Sequence, residues 1–268
     1  MKTSVVTVTY NKALQLERGL KTILSQEVLP DEIIVVDDGS TDNTGDVLIS
    51  LYDLFKEKNV ILRTIYLNHP EPRISCIPRN IGWKEATGDL IIFTEPECLH
   101  VDNTIAQLIE KVNESPDMSH LASQVWTIQE KIYKRLTEDN FRRPATILNH
   151  EYAQLTDNAN MSNTKAPDSD WAITGQKNCA AGCLFAVKKE WLEAVGGFDE
   201  SFEGHGFDDF DLFNRLAVYG AGVVKHDDII VIHQWHEKNY PYNIYDMAER
   251  NGRISEDNIK KGIFKVNT

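Results

Sequence analysis

The sequence predicts an α/β fold: a mostly parallel central sheet flanked by helices, with a smaller mixed sheet after it. Three observations carry this. Through residue 117, short apolar runs alternate with stretches of helical period. The runs lack the strict polar alternation of a half-exposed strand, so both faces of the sheet must be covered. After about residue 118 the pattern turns mixed and polar, as expected where a second, smaller sheet begins.

TSVVTVT (3–9) reads as a buried strand. Residues 12–26 carry Leu14, Leu20, Ile23 and Leu24 at roughly helical spacing, and EIIVVDD (32–38) is a second apolar strand closed by acids and Gly39. Residues 43–58 are helical on the spacing of Val47, Leu48, Leu51 and Leu54, and VILRTIYL (60–67) is the third strand. A helix over 77–87 closes at Gly88, DLIIFT (89–94) is the fourth strand, and a helix runs from Asn103 to Asn113. SHLASQVWTIQEKIY (119–133) is strand-like and mixed. Residues 149–178, rich in Asn, Asp, Ser and Thr, read as a long loop, which in a compact domain is usually functional or mobile. A small-residue strand and a short helix around Trp191 follow. Residues 208–219 form a helix, VVKHDDIIVIHQWHEK gives a late strand, and the segment from Glu237 is a polar, tyrosine-bearing tail.

Composition excludes several functions. Net charge is −13, with 41 acidic against 28 basic residues, which argues against nonspecific binding to nucleic acid or an anionic membrane. The four cysteines (Cys76, Cys98, Cys179 and Cys183) form no CxxC pair, so free thiols in a reducing compartment are expected. No apolar run reaches membrane-spanning length and Met1-Lys2 leads straight into a strand, so a cytoplasmic location is expected. Peripheral membrane contact through a partner or a lipid-linked substrate stays open.

In parallel sheets ligands bind beyond the carboxyl ends of the strands, and acids gather there. Asp37 and Asp38 follow the second strand; Glu95 and Glu97 follow the fourth, in FTEPE. Such acids can hold Mg²⁺ or Mn²⁺ through one carboxylate while another orients a sugar hydroxyl; they also serve as turn formers and caps. Arg79 and Asn80 open the helix that leads into the fourth strand, and an arginine near acids and a metal suits a diphosphate. His233 and His236 close the late strand, where a histidine can be a metal ligand. The richest stretch is GGFDESFEGHGFDDFDLFNRL (196–216). At about 100° per residue, Leu212, Phe213, Leu216, Ala217 and Tyr219 share one face of its helix. Asp211, Asn214 and Arg215 share the other, where Asp211 and Arg215 read as an exposed i,i+4 pair. Asp209 lies in the opening turn on the apolar face. A buried carboxylate must be paired, metal-bound or pKa-shifted, and the last two are how enzymes use acids.

Four blocks together resemble the family-2 glycosyltransferases of the GT-A fold: VVTVTYNKALQLERGLKTILSQ (5–26), EIIVVDDGSTDNT (32–44), RNIGWKEATGDLIIFTEPE (79–97) and residues 196–216. The last is also similar to a segment shared by galactosyl- and N-acetylgalactosaminyltransferases and chondroitin-type polymerases. The resemblance implies a Rossmann-like nucleotide-sugar-binding half (1–117), an acceptor-binding half (118–236), and a C-terminal tail or lid (237–268). It implies that Thr9, Tyr10 and Asn11 line the nucleotide pocket, that Asp37 or Asp38 bonds the base, usually uracil, and that Arg79 and Glu95 contact the nucleotide sugar. Glu95-Pro96-Glu97 takes the place of the Asp-x-Asp metal motif, so Glu97 is the carboxylate metal ligand, with His233 or His236 as the late histidine ligand. Asp209 matches the catalytic base of inverting members and Asp208 its acidic neighbour. Gly182, Gly197 and Gly206, with Gly196 and Gly204, fall on the acceptor side.

The chain departs from the pattern at Glu-Pro-Glu, which moves each carboxylate about one methylene outward, at Asp208 in place of glutamate, and at His205 where an aromatic is usual. The implied activity is transfer of a sugar, with inversion, from a nucleotide-diphosphate sugar, a UDP-sugar, to a glycan, lipid-linked or other hydroxyl acceptor, with Mn²⁺ or Mg²⁺ as cofactor. Two other classes compete. A non-catalytic nucleotide-sugar-binding module would explain the altered metal motif. A nucleotidyltransferase would want a glycine- and lysine-rich loop after the first strand, which TYNKALQLER lacks.

Overall fold

The first half of the chain follows the expected alternation: β1 (Thr3–Thr9), α1 (Ala13–Leu24), β2 (Glu32–Asp37), α2 (Thr44–Glu57), β3 (Ile61–Tyr66), α3 (Cys76–Glu85) and β4 (Leu90–Thr94). It continues with β5 (Cys98–His100), α4 (Thr104–Glu114), β6 (Ser119–Thr127) and three short helices, α5 (Glu130–Tyr133), α6 (Glu138–Arg142) and α7 (Ala145–Leu148). The last part holds β7 (Leu184–Lys188), α8 (Lys189–Val195), α9 (Asp208–Tyr219), β8 (Val223–His233) and α10 (Ile244–Lys260). The computed structural model describes residues 1–68, 76–101, 103–128, 130–148, 182–204, 206–237 and 243–268. The expected loop at 149–178, Cys179, His205, Tyr240 and Tyr242 lie outside the described residues.

Eight strands share one sheet in the order β3-β2-β1-β4-β7-β6-β8-β5. β1 pairs in parallel with β2 and β4, and β2 with β3. β7 runs antiparallel to β4 and β6, β6 runs parallel to β8, and β5 runs antiparallel to β8. The mixed half is thus hydrogen-bonded to the parallel half through β4 and β7 rather than standing apart. Side chains alternate between the two faces of the sheet. Val5, Ile33 and Val35 pack under α1, α2 and α4, with Leu16, Leu51 and Leu108. Val6, Ile34 and Val36 pack under α3, α8 and α9, with Trp83, Leu192 and Leu216. Cover on both faces is why the strands read as continuous apolar runs.

Three expectations are corrected. Asp211 and Arg215 are both fully buried, not an exposed pair. Arg215 Nε donates to Asp211 Oδ2 at 2.7 Å, and its two terminal nitrogens donate to the carbonyls of Val195 (3.0 Å) and Gly197 (2.8 Å). A second layer of chain covers the polar face of α9, so that face needed partners of its own. Conversely, Tyr219, assigned to the buried face, is exposed in the last turn with Val218. The tail is not merely polar coil, since α10 spans 17 residues. Its mean hydropathy is low and its buried positions include Asn251 and Ser255, yet its apolar and polar residues segregate at helical period. β5, three residues long, was also unforeseen. Among the described residues, no helix is long and apolar enough to cross a membrane, and Cys76, Cys98 and Cys183 are free and buried.

Candidate active site

Strands β1, β2, β4 and β8 all end at one edge of the sheet, where antiparallel β7 begins: Thr9 pairs with Asp37, and Thr94 with Leu184. This brings the expected strand-end residues together. Thr9 is buried, and its Oγ1 has no hydrogen-bond partner among the described residues. Tyr10 is exposed beside it. Asn11 takes a left-handed backbone (φ 53°), and its Oδ1 accepts from the N–H groups of Thr41 (2.7 Å) and Asp42 (3.2 Å). That side chain therefore ties the β1–α1 loop to the β2–α2 loop. Asp37 and Asp38 are buried, and Asp37 Oδ1 accepts from the N–H of Ser40 at 2.8 Å.

Across from this loop pair stands a cluster of acids around one arginine. Phe207 holds a left-handed backbone (φ 75°) at the start of α9, an uncommon state for a bulky residue. Asp208 and Asp209 follow in the first turn, where the helix dipole favours negative charge, and both are buried. Arg79, from α3, donates to Asp208 and, at 3.0 Å, to Asp209 Oδ1; its other terminal nitrogen lies 3.7 Å from Glu95 Oε1. Burial pushes the Asp209 carboxyl up to about 7 against the pull of Arg79, with Asp208 and Glu95 adding to the rise. Burial works the same way on Glu95 but is outweighed by the hydrogen bond and charge of His233, then by Arg79 and Lys12, and holds it well below the usual carboxylate range. Two neighbouring acids are thus driven apart in acidity, the pattern that separates catalytic roles. Gly182 completes the wall: a Cβ built there would lie 2.2 Å from Asp209 Oδ2.

Glu97, His233 and His236 each offer a ligand atom, all within 4.8 Å of one another. Nε2 of His236 is 3.2 Å from Glu97 Oε1, and Lys12 forms an ion pair with that same oxygen. Nε2 of His233 is 3.6 Å from Glu95 Oε2, while its Nδ1 is buried with no hydrogen-bond partner among the described residues. One carboxylate and two imidazoles, with a ring nitrogen left unsatisfied, fit a divalent transition ion such as Mn²⁺ better than the all-oxygen set that Mg²⁺ favours. A second group, Glu95, Cys98 and Cys183, also lies within 4.8 Å. Its Cys183 thiol is held up by the neighbouring Cys98 sulfur and by burial.

Two of the expected acceptor-side glycines sit where a side chain would clash. At Gly197 a Cβ would fall 2.4 Å from Asn80 Oδ1, and at Gly206 it would fall 3.0 Å from the Ala248 methyl of α10. Asn80 is a structural clamp: its side chain donates to the Phe198 carbonyl at 2.8 Å and accepts from the Phe198 N–H at 2.9 Å. Lys12 is the site residue that sequence reasoning missed. Its signal was adjacency, as the next residue after the Thr9–Asn11 block.

Comparison with known proteins bears on the family and the fold. The glycosyl transferase family 2 profile matches residues 4–194, and the profile for the N-terminal domain of galactosyltransferase matches residues 165–237. An uncharacterized glycosyltransferase of Bacillus subtilis is 26% identical over 267 residues, covering 89% of this chain and 66% of that protein. Chondroitin synthase of Pasteurella multocida is 24% identical over 250 residues, covering 86% of this chain and 24% of that protein. The chain thus spans under two thirds of the length of these relatives. Among solved structures, S. aureus TarS 1-349 in complex with UDP-GlcNAc superposes with a TM-score of 0.59 at 18% identity, over 94% of this chain and 66% of that one. A mannosyltransferase from Pyrobaculum calidifontis, in complex with GDP-Man and Mn²⁺, gives 0.58 at 21%, over 89% and 58%. With a family profile covering well over half of its residues, and with the GT-A fold of its neighbours, the chain belongs to glycosyl transferase family 2.

Proposed function

We propose that this chain transfers a sugar, with inversion, from a nucleotide-diphosphate sugar to a hydroxyl of a glycan or lipid-linked acceptor. Asp209 carries this reading: a buried carboxylate beside an arginine and a second acid, with its pKa moved to about 7, suited to a general base at neutral pH. Asp209 takes the proton of the acceptor hydroxyl as that oxygen bonds to the anomeric carbon, and the bond from that carbon to the diphosphate breaks. Arg79 aims the base and, with Glu95, faces the sugar and diphosphate. Thr9, Tyr10, Asn11, Asp37 and Asp38 hold the nucleotide, for which the UDP-GlcNAc bound by the TarS neighbour suggests uridine. A divalent cation held by Glu97, His233 and His236 would neutralise charge on the leaving diphosphate. Residues 1–117 form the donor half and 118–236 the acceptor half, with Gly182 leaving the Asp209 carboxylate uncovered toward the acceptor.

The test is a panel of nucleotide sugars assayed for hydrolysis and transfer with the native protein and with Asp209→Asn. Loss of turnover with UDP binding kept supports the reading; full activity in the variant sinks the base assignment. One observation favours a second reading, a nucleotide-sugar-binding module: Arg79 and Lys12 already give these acids internal counter-ions. A melting shift with UDP that needs no metal, with no turnover of any donor, would select it.

A further inference from the structure

We infer that Lys12 is the resident counter-ion of the candidate cation site, and that a divalent cation enters only by displacing its ammonium group. The inference rests on the reading of Glu97, His233 and His236 as cation ligands. Glu97 is a buried carboxylate, its side chain 3% exposed, and such a charge needs a partner. Lys12 supplies it through Oε1, the oxygen that also faces His236 Nε2 at 3.2 Å. That is the oxygen a cation shared by the three side chains would use. An ammonium and a dication at one oxygen repel each other strongly at such a distance, so the two states exclude each other.

Lys12 is built to leave and Arg79 is not. Arg79 is held by three acids, Asp208, Asp209 and Glu95. Lys12 reaches Glu97 from the chain position just ahead of α1, and its side chain is 29% exposed, so its head group has a route to water. A flexible four-carbon stem carries that charge. The backbone beneath it is fixed, because Asn11 is pinned to Thr41 and Asp42. The exchange is therefore a side-chain swing on a static loop. Lys12 neutralises Glu97 when no metal is bound and weakens the affinity for metal, so occupancy depends on the free cation concentration.

The experiment is a Mn²⁺ titration followed by electron paramagnetic resonance on the native protein, Lys12→Met and Lys12→Arg, with folding checked by circular dichroism. Lys12→Met should bind Mn²⁺ about tenfold more tightly, since one repelling charge is gone. Lys12→Arg should bind no more tightly than the native protein. A second measurement needs no variant: amine acylation of the native protein, read by peptide mass spectrometry, should rise at Lys12 when Mn²⁺ is added. Equal or weaker Mn²⁺ binding by folded Lys12→Met, or unchanged acylation at saturating Mn²⁺, overturns the inference. Sugar transfer without Mn²⁺ binding by any form overturns it too and leaves the transfer reading standing. Tight Mn²⁺ exchange with no turnover of any donor upholds it and sinks transfer instead.

Discussion

Replacing Asp209 by asparagine should stabilise the protein while removing its proposed activity. The carboxyl sits near pKa 7 in the fold against an ordinary 3.8, and each unit is about 1.36 kcal/mol. Holding the ionised form in this site therefore costs on the order of 4 kcal/mol once the pH exceeds 7. Between the two values the folded protein keeps a proton that the unfolded chain has lost, so unfolding free energy falls as pH rises through that window. Below about pH 4 the carboxyl is protonated in both states and the penalty vanishes. An asparagine never ionises, and Arg79 retains Asp208 and Glu95 as partners. Urea denaturation of the two proteins across the window should give curves that nearly meet at the acid end and separate by roughly 2–4 kcal/mol at neutrality, with the variant more stable. Sugar transfer should drop by about 10²–10⁴-fold, the usual worth of a general base. Parallel stability curves would refute the argument that this carboxylate is held ionised at a cost.

Gly182→Ala should place a methyl onto the Asp209 carboxylate, within 2.2 Å of Oδ2. Turnover should fall about 10²-fold through misplacement of the base, with donor KM little changed in steady-state kinetics. Arg215→Met should leave Asp211 charged and buried without its partner, a loss of about 3–5 kcal/mol readable by denaturation, whereas pairing it with Asp211→Asn should recover part of that loss. Glu97→Gln should weaken Mn²⁺ binding in a paramagnetic resonance titration, and EDTA should suppress transfer in the native protein until Mn²⁺ is restored.

Most of the parallel half was legible because β1, β2 and β4 are covered on both faces. EIIVVD and LIIFT carry no alternation to mislead, and their observed limits fall within a residue or so of those expected. The acids were legible for a related reason: parallel order places strand ends on one edge, so Asp37, Glu95 and Glu97 had to lie along it. Phase on α9 picked out Asp209 correctly as buried, but it misjudged Arg215 and Asp211. Phase reports only which face is apolar. It does not report that a second layer, with the carbonyls of Val195 and Gly197, covers the polar face. α10 escaped although its residues segregate at helical period, because its low mean hydropathy reads as a polar tail. The ion pair of Lys12 with Glu97 spans 85 positions of sequence, and no local pattern encodes it.

The α10 contacts also bear on the order in which the molecule can assemble. Asn251 donates to the carbonyls of Glu203 (3.0 Å) and Gly206 (2.9 Å), and Val266 N–H donates to the Val195 carbonyl at 3.1 Å. The loop that leads into Asp208 and Asp209 is thus braced by chain made after it. On the ribosome, β1 to β4 and their helices can pair as they emerge, since domains form from the N-terminus as synthesis proceeds. The carboxylates that give the cleft its chemistry gain these braces only when residues 244–266 have been translated. The nascent protein would therefore own its parallel strand-end edge before the proposed base is braced.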